Sequence, residues 1–384
     1  MGKKFRIDRL GASQSVMTLQ KCEEEAMARA FGGPGKYIQR RGEIARLRQH
    51  LAPLGDRCLM LVDRAVLDRL TATIPGLEVM AFGGECSAAE IARVVARSRE
   101  IGAQVIIGAG GGKAIDTAKI AAIETGARIV VVPTIASTDA PCSAVAVRYS
   151  EAGIYEESLR LPRNPDLVLV DVEVIAAAPV RFLIAGIGDA LSTWFEARSN
   201  IESRTPNYVA GGFPPTEVGI AIARRCHDVL MAEAGKAVAA AREGLITASL
   251  ERIIEANILM SGLGFENCGC SAAHGIHDGL TVLSETHGLL HGEKVAFGTL
   301  CLLMLENRDA AEIVEAIRFC RGLGLPVTLV DLGLGDADRD QITRVAEAAL
   351  VPGECTYATP VELTVESVRD AILALDVFAR GVAP

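Results

Sequence analysis

Apolar residues come in short unbroken runs along the first half of the chain and at three-and-four spacing along the second. Four runs rich in Val and Ile, at 58–62, 105–107, 129–132 and 167–170, show no polar alternation. Stretches with one polar face, at 88–99 and 114–123, lie between them. Unalternated strands separated by helices predict a parallel sheet covered on both faces. A hairpin is predicted from 145–149 to 154–158, turning through Ser150-Glu151-Ala152-Gly153. Beyond about residue 180 the pattern becomes helical, with segments at 216–241, 245–262, 293–306, 310–323, 338–349 and 365–379.

This pattern predicts an α/β protein in two parts. Residues 31–179 read as a parallel-sheet domain of the dinucleotide-binding type, and residues 180–384 as an all-helical domain. The boundary falls near Pro179, and the active site is expected in the cleft between the domains. Residues 1–30 read as a polar, mostly helical extension that contains the charged run Lys21-Cys22-Glu23-Glu24-Glu25.

Composition narrows the partners. Thirty-nine basic residues against 48 acidic ones give a net charge of −9, which argues against a nucleic-acid partner, since that would need a clustered basic surface. No apolar run approaches the ~18 residues of a membrane span. The charged N-terminus has no apolar signal core, so the cytoplasm is the default compartment. Ten cysteines are scattered through a core-rich chain and read as buried small hydrophobes. Cys268-Gly269-Cys270 lacks the spacing of a structural zinc site.

Three places carry candidate chemistry. The strand at 105–107 runs into Gly108-Ala109-Gly110-Gly111-Gly112-Lys113, followed by a helix through Asp116 and Lys119. Glycines before a helix start offer backbone N–H groups and a positive dipole end to one anion, a diphosphate cradle. Asp63 ends the strand at 58–62, where a carboxylate can hold ribose hydroxyls or simply cap a turn. The loop Val132-Pro133-Thr134-Ile135-Ala136-Ser137-Thr138-Asp139-Ala140-Pro141-Cys142-Ser143 puts small hydroxyls and a carboxylate after another strand. It suits a carboxamide, a phosphate and a substrate hydroxyl, or an ordinary turn.

The third place is a metal set. Asp189 lies in Gly-Ile-Gly-Asp-Ala-Leu-Ser-Thr-Trp-Phe-Glu-Ala (186–197), read as a glycine-relieved turn entering a helix. His274 and His291 are 17 residues apart (291 − 274), natural for two helices joined by a loop. Four of the six histidines, 274, 277, 287 and 291, crowd into this stretch. Asp189, His274 and His291 make three protein ligands, the number that leaves a coordination position open for chemistry. His277, one helical turn from His274, suits a fourth ligand, a supporting partner or a substrate contact.

Four strings together resemble the glycerol dehydrogenase branch of the iron-containing alcohol dehydrogenase-like family. They are Gly-Gly-Gly-Lys-Ala-Ile-Asp-Thr-Ala-Lys (110–119), Pro-Thr-Ile-Ala-Ser-Thr-Asp-Ala-Pro-Cys-Ser-Ala (133–144), Gly-Asp-Ala-Leu-Ser-Thr-Trp-Phe-Glu-Ala-Arg (188–198) and His-Gly-Glu-Lys-Val-Ala-Phe-Gly-Thr-Leu (291–300). The resemblance runs from Gly35 to near the C-terminus. It implies a catalytic zinc on Asp189, His274 and His291, and NAD as cofactor. Gly110, Gly111, Gly112, Lys113 and Asp116 would serve its diphosphate side, with Asp63 on the adenosine ribose. Thr134, Ser137, Ser143, Val145 and Tyr149 would line the rest, and Asp139 would contact a polyol substrate. The implied reaction is oxidation of glycerol or a similar vicinal diol to dihydroxyacetone, in an assembly of identical subunits.

Three positions depart from the family pattern. Thr193 stands where iron-dependent relatives carry a histidine, which favours three ligands and zinc. Gly275 and Asp278 stand where the glycerol enzymes usually read Ala and Asn. The rival readings on the same fold are a dehydroquinate synthase-like lyase and a glycerol-1-phosphate dehydrogenase. Their anionic substrates would demand more cations than the lone Lys294 between residues 262 and 300. A nucleotide sensor without catalysis is the reading from another class, and the intact ligand set speaks against it.

Overall fold

The carboxyl ends of three neighbouring strands bring the first set of candidate residues together. The computed structural model describes residues 8–10 and 28–383. Its strands are β1 (Asp8–Leu10), β2 (Tyr37–Arg40), β3 (Cys58–Val62), β4 (Glu78–Ala81), β5 (Val105–Gly110), β6 (Arg128–Pro133), β7 (Val145–Tyr149), β8 (Tyr155–Arg160) and β9 (Leu167–Asp171). Six of them form a sheet in the order β2-β9-β6-β5-β3-β4, and every pair in it is parallel. β3, β5 and β9 are buried along their whole length, which is why their sequence shows no polar alternation. From β3 the chain steps outward to β4 and then returns to the other side of β3 as β5. Strand order therefore reverses between β3 and β5, the position where open α/β sheets bind ligands beyond their carboxyl ends.

Two strands of this sheet, β2 and β4, escape the sequence pattern. Both are short edge strands, four residues each, and their half-exposed positions leave no apolar run. The predicted hairpin is present as β7 and β8, with β8 displaced by one residue at its start and two at its end. Asp8–Leu10, expected within a mostly helical extension, is instead a strand paired antiparallel with β8. The rest of that expectation, residues 1–7 and 11–27, lies outside the described residues.

The chain divides into two compact units. One carries the large sheet and comprises Gly32–Leu183 together with Lys236–Leu263; the other comprises Ile184–Gly235 and the chain from Gly264 onward. Residues 236–263 thus belong with the sheet, although their sequence is helical. Among the described residues no helix is long and apolar enough to cross a membrane. Among the described residues, nine cysteines are free and buried.

In the second unit, helices meet backbone to backbone at glycines. A Cβ on Gly292 would fall onto the carbonyl oxygen of Ala185, and one on Gly188 would fall onto the carbonyl oxygen of Gly292. The helices Val180–Ser203 and His291–Leu305 therefore cross with no side chain between them. Asp189 is accordingly a mid-helix residue, not a residue of a turn entering a helix. Gly188 serves close approach there, and no chain reversal occurs. Gly298 meets the carbonyl of Ala273 in the same way, and Gly279 that of Val345. At Gly275 the side chain of Thr356 fills the space a Cβ would need, which explains the glycine at this position.

Because a backbone carbonyl cannot yield as a side chain can, Gly292→Ala should destabilise the protein by about 1–3 kcal/mol, the cost of an overpacked core. Denaturant unfolding of the variant beside the parent chain checks this; an unchanged midpoint would show that the two helices have room to separate.

Candidate active site

On the sheet unit, Asp63 and the glycine turn face each other across the reversal point. Asp63 N–H donates to the carbonyl of Ala109 (2.8 Å), and a Cβ on Gly110 would lie 3.0 Å from the Asp63 Cβ. Only glycine lets the two strand ends approach so closely. None of Gly110, Gly111 and Gly112 has a positive φ, so close packing, not turn freedom, requires glycine at 110. Helix Gly112–Thr125 starts directly behind, and its first-turn N–H groups lack intrahelical acceptors. The Asp63 carboxylate accepts the N–H of Ala65 (3.0 Å) as a turn cap. Its carboxyl group thus does the capping job at the carboxyl tip of β3.

The hydroxyl loop is fastened from both sides. Thr134 N–H bonds the Gly110 carbonyl (3.1 Å). Lys119, fully buried, donates to the carbonyls of Ala140 (2.6 Å) and Val145 (2.9 Å). Asp116 accepts the N–H of Val147 (2.9 Å) and pairs with Lys119 (3.4 Å). Burial raises the Asp116 pKa, and Lys119 and Val147 offset that. The Asp116 carboxylate is thus turned inward onto β7, where it braces the loop. Ser143 is likewise buried, its hydroxyl donating to the Ala140 carbonyl (3.2 Å). Ser137 remains partly exposed. Lys113 reaches Glu85 (2.6 Å) and lies over the ring of Tyr149, 4.8 Å from its centroid.

From the other side, a π-turn at Ala256–Met260 holds the loop. Asn257 donates to the carbonyls of Ala136 (3.0 Å) and Leu183 (3.2 Å), and Ser261 donates to Asp139 Oδ2 (2.8 Å). Such turns concentrate at functional sites because they re-aim side chains within a helix. Sequence periodicity alone did not reveal it, since a single widened turn is shorter than the window over which apolar spacing is read.

In the second unit, Asp189, His274 and His291 converge. Their ligand atoms all lie within 4.8 Å of one another. His291 Nε2 stands 3.2 Å and His274 Nε2 3.5 Å from Asp189 Oδ1. Burial pushes the Asp189 pKa up, but the charge of His291 and the bonds from both imidazoles hold it below the usual carboxylate range. Thr193, one turn along from Asp189, packs its methyl group against Gly264.

Glu196 was missed as a functional residue. It is fully buried, accepts His274 Nδ1–H (2.7 Å), and also accepts the backbone N–H groups of Ser271 (2.8 Å) and His274 (3.0 Å). Burial lowers the His274 pKa, but Glu196 foremost lifts it well above the ordinary value. With a proton held on Nδ1, Nε2 is the nitrogen that faces Asp189. The signal lay in the sequence: Glu196 is seven residues after Asp189, two turns along one helix face. His277, whose role the sequence left open, bonds His291 Nδ1 (3.0 Å) and Asp278 Oδ1 (2.9 Å). Burial, then the charge of His291, takes its pKa down to about 4.

A carboxylate and two imidazoles converging on one point, each imidazole oriented by a hydrogen bond at its far nitrogen, make a donor set that fits a divalent cation. The sheet unit has the architecture of a dinucleotide-binding fold. Comparison with known proteins agrees: the model of the iron-containing alcohol dehydrogenase family matches residues 34–172, and the chain belongs to that family. A glycerol dehydrogenase of Pseudomonas putida is 44% identical over 358 residues, covering 91% of this chain and 98% of its own length. A glycolaldehyde reductase of Halobacterium salinarum is 43% identical over 364 residues, 93% of this chain and 99% of its own. The crystal structure of a probable glycerol dehydrogenase from Sinorhizobium meliloti 1021 superposes with a TM-score of 0.90 at 67% identity, covering 93% of this chain and all of that one.

Glu196→Gln keeps the shape but turns an amide donor toward groups that themselves donate. One buried N–H is left without an acceptor, which costs about 1–3 kcal/mol, and metal affinity should fall about ten- to hundredfold. Unfolding measurements and a metal titration of the variant test both parts. Undiminished affinity would show that Glu196 does not orient His274.

Proposed function

We propose that the chain is an NAD-dependent dehydrogenase that oxidises glycerol, or a similar vicinal diol, to dihydroxyacetone, with zinc as its metal. The observation that carries this reading is the convergence of Asp189, His274 and His291 within 4.8 Å, supported by the glycerol dehydrogenases among its relatives. Three donors of this kind are what an open catalytic zinc site contains, and Thr193 in place of a fourth favours zinc over iron. Bound there, zinc would supply a Lewis acid that lowers the pKa of a substrate hydroxyl, and NAD would supply the hydride acceptor.

The chain's own residues do the rest. Glu196 holds the His274 ring so that its Nε2 stays available. The first-turn amides at 111–113 and the dipole of the helix behind them take the diphosphate, with Lys113 at its edge. Asp63 accepts ribose hydroxyls and repels a ribose phosphate, which selects NAD over NADP. Thr134, Ser137, Val145 and Tyr149 line the remaining cofactor surface, with Ser143 shaping the loop from inside. Asp139, oriented by Ser261, accepts a hydroxyl of the polyol.

Reduction of NAD with glycerol should be lost on treatment with a chelator and return with added zinc. The same assay run with NADH and glycolaldehyde, and with a phosphorylated polyol, separates the reading from its rivals. Chelator-resistant turnover, or activity confined to the phosphorylated substrate, would overturn it.

Asp139→Asn keeps an acceptor for Ser261 but removes the charge. A hydrogen bond to a charged group contributes roughly 1.5–3 kcal/mol, so kcat/KM for glycerol should drop about ten- to two-hundredfold with NAD affinity nearly unchanged. Steady-state kinetics beside NAD binding decides this. A variant that lost NAD binding and kept its glycerol KM would move Asp139 to the cofactor side.

A further inference from the structure

We propose that His277 and Asp278 form an ordered relay that selects the ring nitrogen through which His291 faces Asp189, making His277 a positioning residue of the metal centre. The inference rests on the zinc reading above and goes beyond it, since neither residue belongs to the ligand set.

Which atoms can donate sets the order of the protons. An ionised carboxylate only accepts, so the 2.9 Å contact between Asp278 Oδ1 and His277 Nδ1 requires the proton on His277 Nδ1. A neutral imidazole carries one N–H. His277 Nε2 is then a lone pair, and it accepts. Its 3.0 Å contact with His291 Nδ1 therefore requires the proton on His291 Nδ1. That leaves the lone pair of His291 on Nε2, the atom 3.2 Å from Asp189 Oδ1. Each bond in the chain fixes the next, and reversing any one sets two donors or two acceptors against each other.

Both imidazoles of the set are thus oriented, by different means. His274 uses Glu196 directly, whereas His291 reaches its carboxylate through a second imidazole. Helix Ala272–Leu280 supplies the intermediate because His277 lies three residues after His274, on the same side of the helix. The ring centroids of His277 and His291 are 4.2 Å apart, nearly edge to face. His291 opens its own helix and its side chain is 36% exposed. Without His277, water could serve either nitrogen, and the ring would lose its preference.

The test is zinc competition between the metal-stripped full-length chain and a fluorescent chelator at neutral pH, with folding followed by circular dichroism. His277→Leu should weaken zinc binding about ten- to hundredfold, the usual effect of losing a partner behind a ligand histidine. His277→Gln should recover most of it, because its amide oxygen can still accept from His291 Nδ1. Asp278→Ala should weaken binding, and Asp278→Asn, which keeps an acceptor oxygen, should restore it. Asp278 is half-exposed, so this second pair carries the test should His277→Leu fail to fold. Nitrogen NMR of the zinc-loaded parent chain should find the His291 proton on Nδ1.

Zinc affinity of both His277→Leu and Asp278→Ala within about twofold of the parent chain, a change too small for a lost ligand support, would overturn the relay. So would a His291 proton on Nε2. A parent chain that bound no zinc would overturn the metal reading and the relay with it, an outcome distinct from bound zinc that ignores the variants.

Discussion

The contact on which the site depends is between backbones. Gly188 and Gly292 let two helices cross with nothing but main chain at the crossing, and each glycine is the immediate neighbour of a candidate ligand. Side chains at these positions would push the helices apart by more than the tolerance of a coordination sphere. Packing and chemistry are therefore one constraint here. A carboxylate fully buried between helices is costly on its own, and it is tolerable because two imidazoles stand against it.

A similar economy of side chains operates in the sheet unit. The missing Cβ of Gly110 lets the end of β5 close on Asp63, at the point where strand order reverses. The loop after β6 is then fastened by buried polar groups. Lys119 and Asp116 hold it from within, and Asn257 and Ser261 from the π-turn. Rigid support of this kind holds the Asp139 carboxylate in one orientation.

Buried carboxylates and carbonyls recur as the orienting elements. Glu196 collects three N–H groups and thereby sets both a helix start and a ring nitrogen. Asp116 joins a helix to a hairpin. Neither carboxylate faces outward, and both are in strings that look catalytic in sequence.

The sequence by itself determined the parallel sheet and the helical second half, and it singled out the three residues Asp189, His274 and His291 that the fold brings together. Apolar runs and three-and-four spacing are local consequences of burial, and histidines are few enough here for a cluster to stand out. It also carried the glycine turn at 110–112 and the hydroxyl loop as places of interest. Tertiary structure alone decided the rest. Edge strands β2 and β4 exist because neighbours pair with them, not because their own residues alternate. Asp189 became a mid-helix residue because Gly188 answers to Gly292, more than a hundred positions away. Asp116 turned inward because Val147 and Lys119 are there to receive it. The partners of Glu196 and His277 were likewise invisible, since a hydrogen bond depends on distance and angle in space, and sequence spacing fixes these only within one helix or one turn.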